Sequence, residues 1–381
     1  MNKKNNKINV LHLIYGLGPH GIPKFLLYLL KELEKDDRFN WNCVIITGNM
    51  DEGSKNVIYS LKSKVYILPL NEHKKRLLTL FRLIKIVYEN KISIINTHEF
   101  LSKKWSFLCK IFKPNLKLIY HVHNINNYDE LGKFNILLHK LFIDISICVS
   151  KIVKESSLAH GIKKSILIYN CIDIPEYSFN KKNISFNGNL NIINVGRLHL
   201  ETKAQDILLK ALAELKERKI NFKCEFVGTT SNEIDNHSEK KLIELTKELG
   251  LENEVNFLGA KFNIPELLGK SNLFILSSKI EPFGLVILEA MASGLPIIAS
   301  NVDGPAELIK SGQNGLLFES ANYIDLADKI CELYYNPQKM QEIAQNGFDF
   351  VQNFNSPVMC KQYTDAIFNL IGLSSSRVNY E

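Results

Sequence analysis

Glu281 and Glu289 are the only acidic residues in an otherwise apolar stretch that runs from Glu281 through Pro282, Phe283, Gly284 and Leu285 to Pro296 and Ser300. An unpaired carboxylate buried in such a segment costs on the order of several kcal/mol, so each needs a hydrogen-bonding partner. None stands nearby in the sequence, and a bound ligand is one candidate. The stretch reads as a buried strand over 272–276, a Ser-Ser-Lys loop, a short apolar helix over about 284–293, and a second buried strand from Pro296. Gly294 falls where a helix stops, and Pro296 does not prolong it.

Pro282, Phe283 and Gly284 would then lead into a helix N-terminus. Its free amides and dipole favour an anion, and Gly284 lets a phosphate come close to the main chain. Glu281 at that mouth would accept hydroxyl hydrogens from a sugar. Glu289, further along the helix, would accept them from a second polyol such as a ribose. The structural alternative is an acid at the helix start and a core carboxylate tied to a backbone group. A glycosidase-like acid and base pair fits poorly, because that chemistry needs two carboxylates flanking one bond.

A second constellation is Gly196-Arg197-Leu198-His199-Leu200-Glu201-Thr202-Lys203, in the loop after an apolar strand over 191–195. A guanidinium and an ammonium projected from one loop suit a diphosphate, the first as a bidentate fork and the second as a point charge. Two solvated loop cations are the plain alternative. Histidines cluster in Tyr120-His121-Val122-His123 and in Asn96-Thr97-His98, each at the end of a strand-like run, where they are ordinary strand-end residues or site residues; His98 could line an acceptor side. A histidine metal site is not expected, since spacing supplies no clear third ligand.

Apolar strand-length runs alternate with amphipathic helical segments along the chain. The first series has strands over 8–15, 42–47, 65–68, 92–96, 117–121 and 145–149, with helices over 23–34 and 74–90. The second has strands over 191–195, 223–227, 255–258 and 273–276, with helices over 204–218, 239–249, 265–269, 324–335, 337–350 and 357–370. Such alternation means parallel sheets covered on both faces, with ligands at the carboxyl ends of the strands. The fold class is therefore α/β, two doubly wound Rossmann-like domains facing a central cleft. The first domain is 1–175, a polar linker without periodicity is 176–189, the second domain is 190–355, and a helix and tail occupy 356–381.

With 381 residues, 45% hydrophobic and 23% charged, two globular domains are the default. No signal-peptide pattern is evident and no run reaches about 20 apolar residues, which points to the cytoplasm or to the inner face of a membrane. The seven scattered cysteines argue for reduced thiols acting as small hydrophobes. The net charge of +7 is asymmetric: residues 1–175 hold 27 Lys and Arg against 14 Asp and Glu, and residues 176–381 hold 20 against 26. The first half is the part expected to meet something anionic. The segments Lys74–Lys85 and Lys103–Lys113 mix cations with large apolar residues, as a surface resting on anionic lipid would, or as helices with one core side and solvated charges. That half carries no recognised nucleic-acid motif.

The run from Glu281 to Pro296, with seven residues between its two glutamates, resembles the signature of the retaining glycosyltransferases of family 4 (group 1), which have the GT-B fold. Val195-Gly-Arg-Leu198 and Lys203-Ala-Gln-Asp206 resemble that family's phosphate loop, and Phe257-Leu-Gly259 its strand near the base. Val302-Asp-Gly-Pro-Ala-Glu307, Gly315-Leu-Leu-Phe318 and Ile168-Tyr-Asn-Cys-Ile-Asp173 match further landmarks. The resemblance implies that Arg197 and Lys203 hold a donor diphosphate, that Glu281 contacts the donor sugar, and that Glu289 holds the ribose. It implies that Gly196 belongs to the phosphate loop and that Phe283, Gly284 and Leu285 offer backbone amides. His123 would face the donor sugar, and Gly18 and Gly21 match the glycine-bearing loop near the diphosphate. Departures are His20-Gly21 in place of paired glycines, Cys171 and Ala204 where glycine is usual, and one extra residue between Arg197 and Lys203.

The resemblance further implies transfer of a hexose or N-acetylhexosamine from a nucleotide diphosphate sugar, a UDP-sugar foremost, without a metal or other cofactor. The acceptor suggested by the basic first half is a lipid-linked glycan carried on a polyprenyl diphosphate, hence assembly of a capsule or exopolysaccharide. A sugar-nucleotide epimerase of the same architecture and a non-catalytic sugar-nucleotide binder are the rivals.

Overall fold

The computed structural model describes residues 7–18, 21–68, 70, 76–125, 132–177, 189–230 and 236–373. Most of the expected linker 176–189 lies outside the described residues, as do Lys74, Lys75 and His20. The chain divides into two compact units, residues 1–171 together with 356–381, and residues 172–355.

The first unit carries strands β1 (Ile8–Ile14), β2 (Phe39–Ile45), β3 (Lys64–Ile67), β4 (Ile94–Thr97), β5 (Lys117–Val122), β6 (Ile145–Cys148) and β7 (Ser165–Leu167). Its helices are α1 (Gly21–Leu33), α2 (Glu52–Ser60), α3 (Arg76–Glu89), α4 (Phe100–Phe112), α5 (Gly132–Phe142) and α6 (Lys151–Ala159). The second carries β8 (Leu190–Val195), β9 (Phe222–Val227), β10 (Val255–Gly259), β11 (Leu273–Leu276), β12 (Ile297–Ser300) and β13 (Leu316–Phe318). Its helices are α7 (Gln205–Glu217), α8 (Asn236–Glu248), α9 (Ile264–Lys270), α10 (Leu285–Ala292), α11 (Asp303–Leu308), α12 (Tyr323–Tyr334) and α13 (Pro337–Val351); α14 (Ser356–Leu370) follows.

The strands of β1 and β11 are buried as continuous runs, Val10 to Ile14 and Leu273 to Leu276, because a parallel strand with helices on both faces has no wet side. The first sheet is ordered β3-β2-β1-β4-β5-β6-β7 and the second β10-β9-β8-β11-β12-β13, all neighbours parallel. In each the strand order reverses beside the first strand, between β1 and β4 and between β8 and β11. Loops diverge above such a switch point and leave a crevice at the carboxyl ends.

Helix α14 returns to the first unit. Tyr363, fully buried, receives a 2.8 Å hydrogen bond from Asn96 Nδ2, and Phe368 packs on Phe39 with ring centroids 5.4 Å apart. A sequence pattern has no means of showing which sheet a terminal helix covers. All seven cysteines are free, and six are buried. Among the described residues no helix is long and apolar enough to cross a membrane.

Helix α4 corrects one expectation. Lys103, expected as a cation of a solvent-facing surface, is fully buried together with Ser102, Ser106 and Phe107, because helical spacing brings 102, 103, 106 and 107 to the inward face. Its ammonium lies 4.2 Å from the centre of the Tyr120 ring and 3.4 Å from His139 Nδ1. Burial, with a smaller contribution from Lys104, lowers its pKa to about 7.

Candidate functional site

At the switch point of the second unit, the loop after β8 and the loop after β11 are stitched together by their backbones. Lys279 and Ile280 donate to the Thr202 carbonyl at 2.8 and 3.2 Å, and Ser277 Oγ donates to the Lys203 carbonyl at 3.1 Å. The loop is held from inside by buried Gln205, whose Nε2 donates to the Arg197 carbonyl at 2.8 Å and whose Oε1 accepts from the His199 amide at 3.3 Å. His199 Nδ1 in turn accepts from the Thr202 amide and hydroxyl at 3.2 and 2.9 Å.

This stitching delivers Lys203 Nζ to Glu281 Oε2 at 2.5 Å. The partner that Glu281 lacks in sequence is therefore a lysine 78 residues earlier, and a ligand is not needed to explain its burial. Glu281 is 8% exposed, so the pair is largely but not fully shielded from water. Its main chain is clamped too: the Gly304 amide donates to the Glu281 carbonyl at 2.9 Å, and the Glu281 amide donates to Asp303 Oδ2 at 3.3 Å. Burial, and after it the Glu281 charge, raises the pKa of Asp303, against the lowering effect of that amide.

Gly284 caps α10 with φ of 90°, a left-handed conformation that suits glycine, and a Cβ there would come within 2.9 Å of Ile287 Cδ1. The free amides of the first turn begin at Leu285. Phe283, 4% exposed, passes so close to Gly304 that a Cβ on residue 304 would lie 2.4 Å from Phe283 Cα. Glu289 is on α10 and buried at 2% exposure, and its carbonyl accepts from Ser293 Oγ at 3.0 Å. Gly196 donates to the Val227 carbonyl at 2.9 Å, and a Cβ on Gly228 would lie 2.0 Å from the Gly196 carbonyl oxygen. Arg197 is exposed at the same edge.

In the first unit the assigned residues also gather at the carboxyl edge. His123 directly follows β5, and His98 directly follows β4. His98, expected to line an acceptor side, is buried at 1% exposure, with Nε2 3.1 Å from His12 Nδ1. His121 and His123 stack at 5.0 Å between ring centroids, and both meet the edge of Phe25 from α1. Burial lowers the pKa of His12 and of His123 to about 3 and pushes His98 and His121 well below the ordinary range, His98 also by the neighbouring His121, His12 and His123. Gly18 follows the bridge between Leu17 and Met50, and Gly21 opens α1. A Cβ at Gly21 would meet nothing within 4 Å, so packing inside this unit does not require glycine there.

The family description "Glycosyl transferases group 1" matches residues 177–350, and "Glycosyltransferase Family 4" matches residues 19–176. The chain belongs to the group 1 glycosyltransferases of family 4. It is 29% identical over 244 residues to an uncharacterized glycosyltransferase of Methanocaldococcus jannaschii, which covers 62% of this chain and 64% of that one. It is 34% identical over 131 residues to the N-acetyl-alpha-D-glucosaminyl L-malate synthase of Bacillus anthracis, 34% of each chain. The matched region thus spans less than two thirds of either relative's length. The solved structure of Anabaena Alr3699/HepE in complex with UDP-glucose superposes with a TM-score of 0.82 at 24% identity, over 95% of this chain and 100% of that one. This likeness shows the fold, GT-B with two Rossmann-like domains.

Within this family framework, Ala204 explains itself. It stands at φ 47° and ψ 46°, left-handed, as N-cap of α7, where a glycine avoids a cost of roughly 1–2 kcal/mol. Gln205, Asp303, Gly228 and Gly304 have no role legible from sequence. The only signal for Gln205 and Asp303 is their place inside the motif runs 203–206 and 302–307, since their work is done through backbone groups outside those runs.

Proposed function

We propose that the chain is a retaining glycosyltransferase that moves a hexose or N-acetylhexosamine from a UDP-sugar to an acceptor hydroxyl without a metal. The observation that carries this reading is the Lys203–Glu281 pair held between the two loops of the switch point, next to the start of α10. An ammonium is thereby fixed, with its charge already oriented, beside a helix N-terminus, where an anion is favoured. In this reading Arg197, Lys203 and the amides at Gly284 and Leu285 take up charge as it grows on the leaving diphosphate. Preorganised groups of that kind contribute about 3–4 kcal/mol each. Glu281 and His123 bond donor-sugar hydroxyls, and Glu289 bonds the ribose. Gly18, Gly21 and Gly196 belong to the loops around the diphosphate, and Phe283 contributes backbone to the donor. With no carboxylate assigned as nucleophile, the acceptor attacks from the leaving-group face and the donor phosphate takes its proton.

The test is nucleoside diphosphate release from a panel of sugar nucleotides with and without lipid-linked glycan acceptors. Acceptor-dependent release is expected, with UDP-sugars foremost. Interconversion of donor sugars without release would instead point to an epimerase. Donor binding that Glu281→Ala weakens, with no turnover to lose, would point to a binder.

The same reading places the protein on the inner face of a membrane, acting on a polyprenyl-diphosphate-linked glycan for a capsule or exopolysaccharide. Support comes from three helices of the first unit. Helix α3 packs on α4, and α4 meets α5 through stacked Phe107 and Phe142. Together they expose Leu77 (72%), Phe81 (64%), Ile111 (58%), Phe134 (69%) and Leu141 (71%). Arg82, Lys85, Lys104, Lys133 and Lys140 lie among them, exposed. Apolar side chains interleaved with cations suit an anionic lipid surface. Co-sedimentation with anionic vesicles at low salt is expected, weakening as salt rises. Failure to bind such vesicles at low salt would sink the membrane assignment and leave the transfer reaction standing.

A further inference from the structure

His199 stands between two leucines that root the loop after β8: Leu198 is 1% exposed, and Leu200 packs on the core of the second unit. From that root a single turn closes back onto His199. Its carbonyl accepts from the amides of Lys203 and Ala204 at 2.8 and 3.2 Å. Its ring Nδ1 accepts from the Thr202 amide at 3.2 Å and lies 2.9 Å from the Thr202 hydroxyl. An amide only donates, so Nδ1 carries the lone pair and the ring hydrogen is on Nε2.

This is the geometry of a helix N-cap, in which a side chain accepts from the amide three residues on, a place usually taken by Ser, Thr, Asp or Asn. Histidine reaches the same amide because its Nδ1 stands as many bonds from Cα as the side-chain oxygen of Asn. Unlike Asp, a neutral ring adds no negative charge to a loop that carries Arg197 and Lys203.

Thr202 passes the constraint on. His199 holds its amide and hydroxyl, and its carbonyl accepts from the amides of Lys279 and Ile280 at 2.8 and 3.2 Å. Lys203 is one residue beyond Thr202, and Glu281 is one residue beyond Ile280. Both partners of the 2.5 Å ion pair therefore leave the main chain next to this junction, and a shift of Thr202 moves the roots of both. The brace supplied by Gln205 bonds residues 197 and 199, upstream of the turn. A turn closed before a ligand arrives also spares the ordering entropy that an open loop would lose on binding.

We propose that His199 is a positioning residue for the donor diphosphate: through Thr202 it fixes where Lys203 and Glu281 stand. The inference rests on the reading of Lys203 as a diphosphate ligand. All of these residues belong to the second unit.

The test is calorimetric titration of the full chain with UDP, for the wild type, His199→Phe, His199→Asn, Lys203→Met and the double variant His199→Phe with Lys203→Met. His199→Phe keeps a ring and removes the acceptor, and it should weaken UDP affinity by about 3- to 30-fold, the factor that corresponds to loss of one N-cap. His199→Asn restores the acceptor and should bind UDP within about 2-fold of the wild type. In the Lys203→Met background His199→Phe should cost less than about 2-fold, because a residue that acts through Lys203 is coupled to it. A purely structural role predicts the same loss in both backgrounds, and that result overturns the proposal. Undiminished UDP binding by His199→Phe, with binding weakened in Lys203→Met, also overturns it and leaves the diphosphate reading standing. UDP binding that Lys203→Met leaves unchanged, or no binding by the wild type, defeats that reading and the inference with it. Should His199→Phe fail to fold, Thr202→Val decides: it removes the hydroxyl and keeps the amide, and a loss of about 2- to 10-fold that disappears in the Lys203→Met background is expected. An unchanged affinity in Thr202→Val would then overturn the proposal.

Discussion

Replacing Lys203 with methionine is expected to lower nucleoside diphosphate release by about 10²- to 10³-fold, the loss typical of one preorganised group facing developing negative charge. Methionine keeps the length and apolar stem of lysine and removes the charge. A second effect accompanies the first, because Glu281 is left at 8% exposure without its cation. Removing one partner of a fully buried pair costs about 3–5 kcal/mol, and the residual exposure of this pair reduces that to roughly 1–2 kcal/mol. The double variant Lys203→Met with Glu281→Gln separates the two effects. It should recover most of the denaturation midpoint, since no unpaired charge remains, while release stays low. If release recovers together with stability, Lys203 serves only to hold Glu281, and its assignment to the diphosphate fails.

Lys103→Met is expected to stabilise the protein, by about 1–4 kcal/mol if it behaves as other buried charged groups replaced by apolar side chains of similar volume. The lysine has no carboxylate partner among its described contacts; its ammonium rests on Tyr120 and beside His139, whose Nε2 is at hydrogen-bonding distance, 2.9 Å, from Ser146 Oγ. The pKa of Lys103 falls from 10.5 to about 7, chiefly through burial. Between those values the unfolded chain holds the proton and the folded chain does not, so stability rises with pH from about 7 to about 10.5. His139 shows the same sign in an acid window. Burial first, then the charges of Lys103 and Lys140, lowers its pKa to about 3, so its contribution is present above 6.5 and is lost as pH falls toward 3. Each group changes stability by at most about 1.4 kcal/mol per pH unit inside its window. Denaturant midpoints at about pH 5, 7 and 9 should show the wild-type rise on both sides of neutrality, and Lys103→Met should flatten the alkaline part while shortening the acid window only from its lower end, because a charge beside His139 is removed. An unchanged alkaline slope in that variant would assign it to other groups.

Much of the architecture is legible in the chain because burial in a parallel sheet writes itself as continuous apolar runs. Strand and helix alternation marks both series, and the helix expected from about Gly284, with its glycine and proline stops, matches α10 closely. Helices α2, α4, α5, α6 and α11 are not legible in the same way. α2 and α11 are short. α4 carries Lys103 on its inward face and exposes Leu101, Leu108, Ile111 and Phe112, so its pattern argues against its own orientation.

By itself the sequence determined which residue types stand at the carboxyl ends of the strands: two glutamates around a helix start, an arginine and a lysine in one loop, and histidines at strand ends. Those are local facts, set by order along the chain. Only the tertiary structure decided who meets whom. Lys203 pairs with Glu281 because β8 and β11 are neighbours, a pairing that local propensities do not encode. His12, His98, His121 and His123 converge because β1, β4 and β5 are adjacent in register. Lys103 is inside because the turn of a helix, and not its charge, sets the face it presents. The terminal helix α14 belongs to the first unit because it covers apolar surface there, around Phe39 and Asn96.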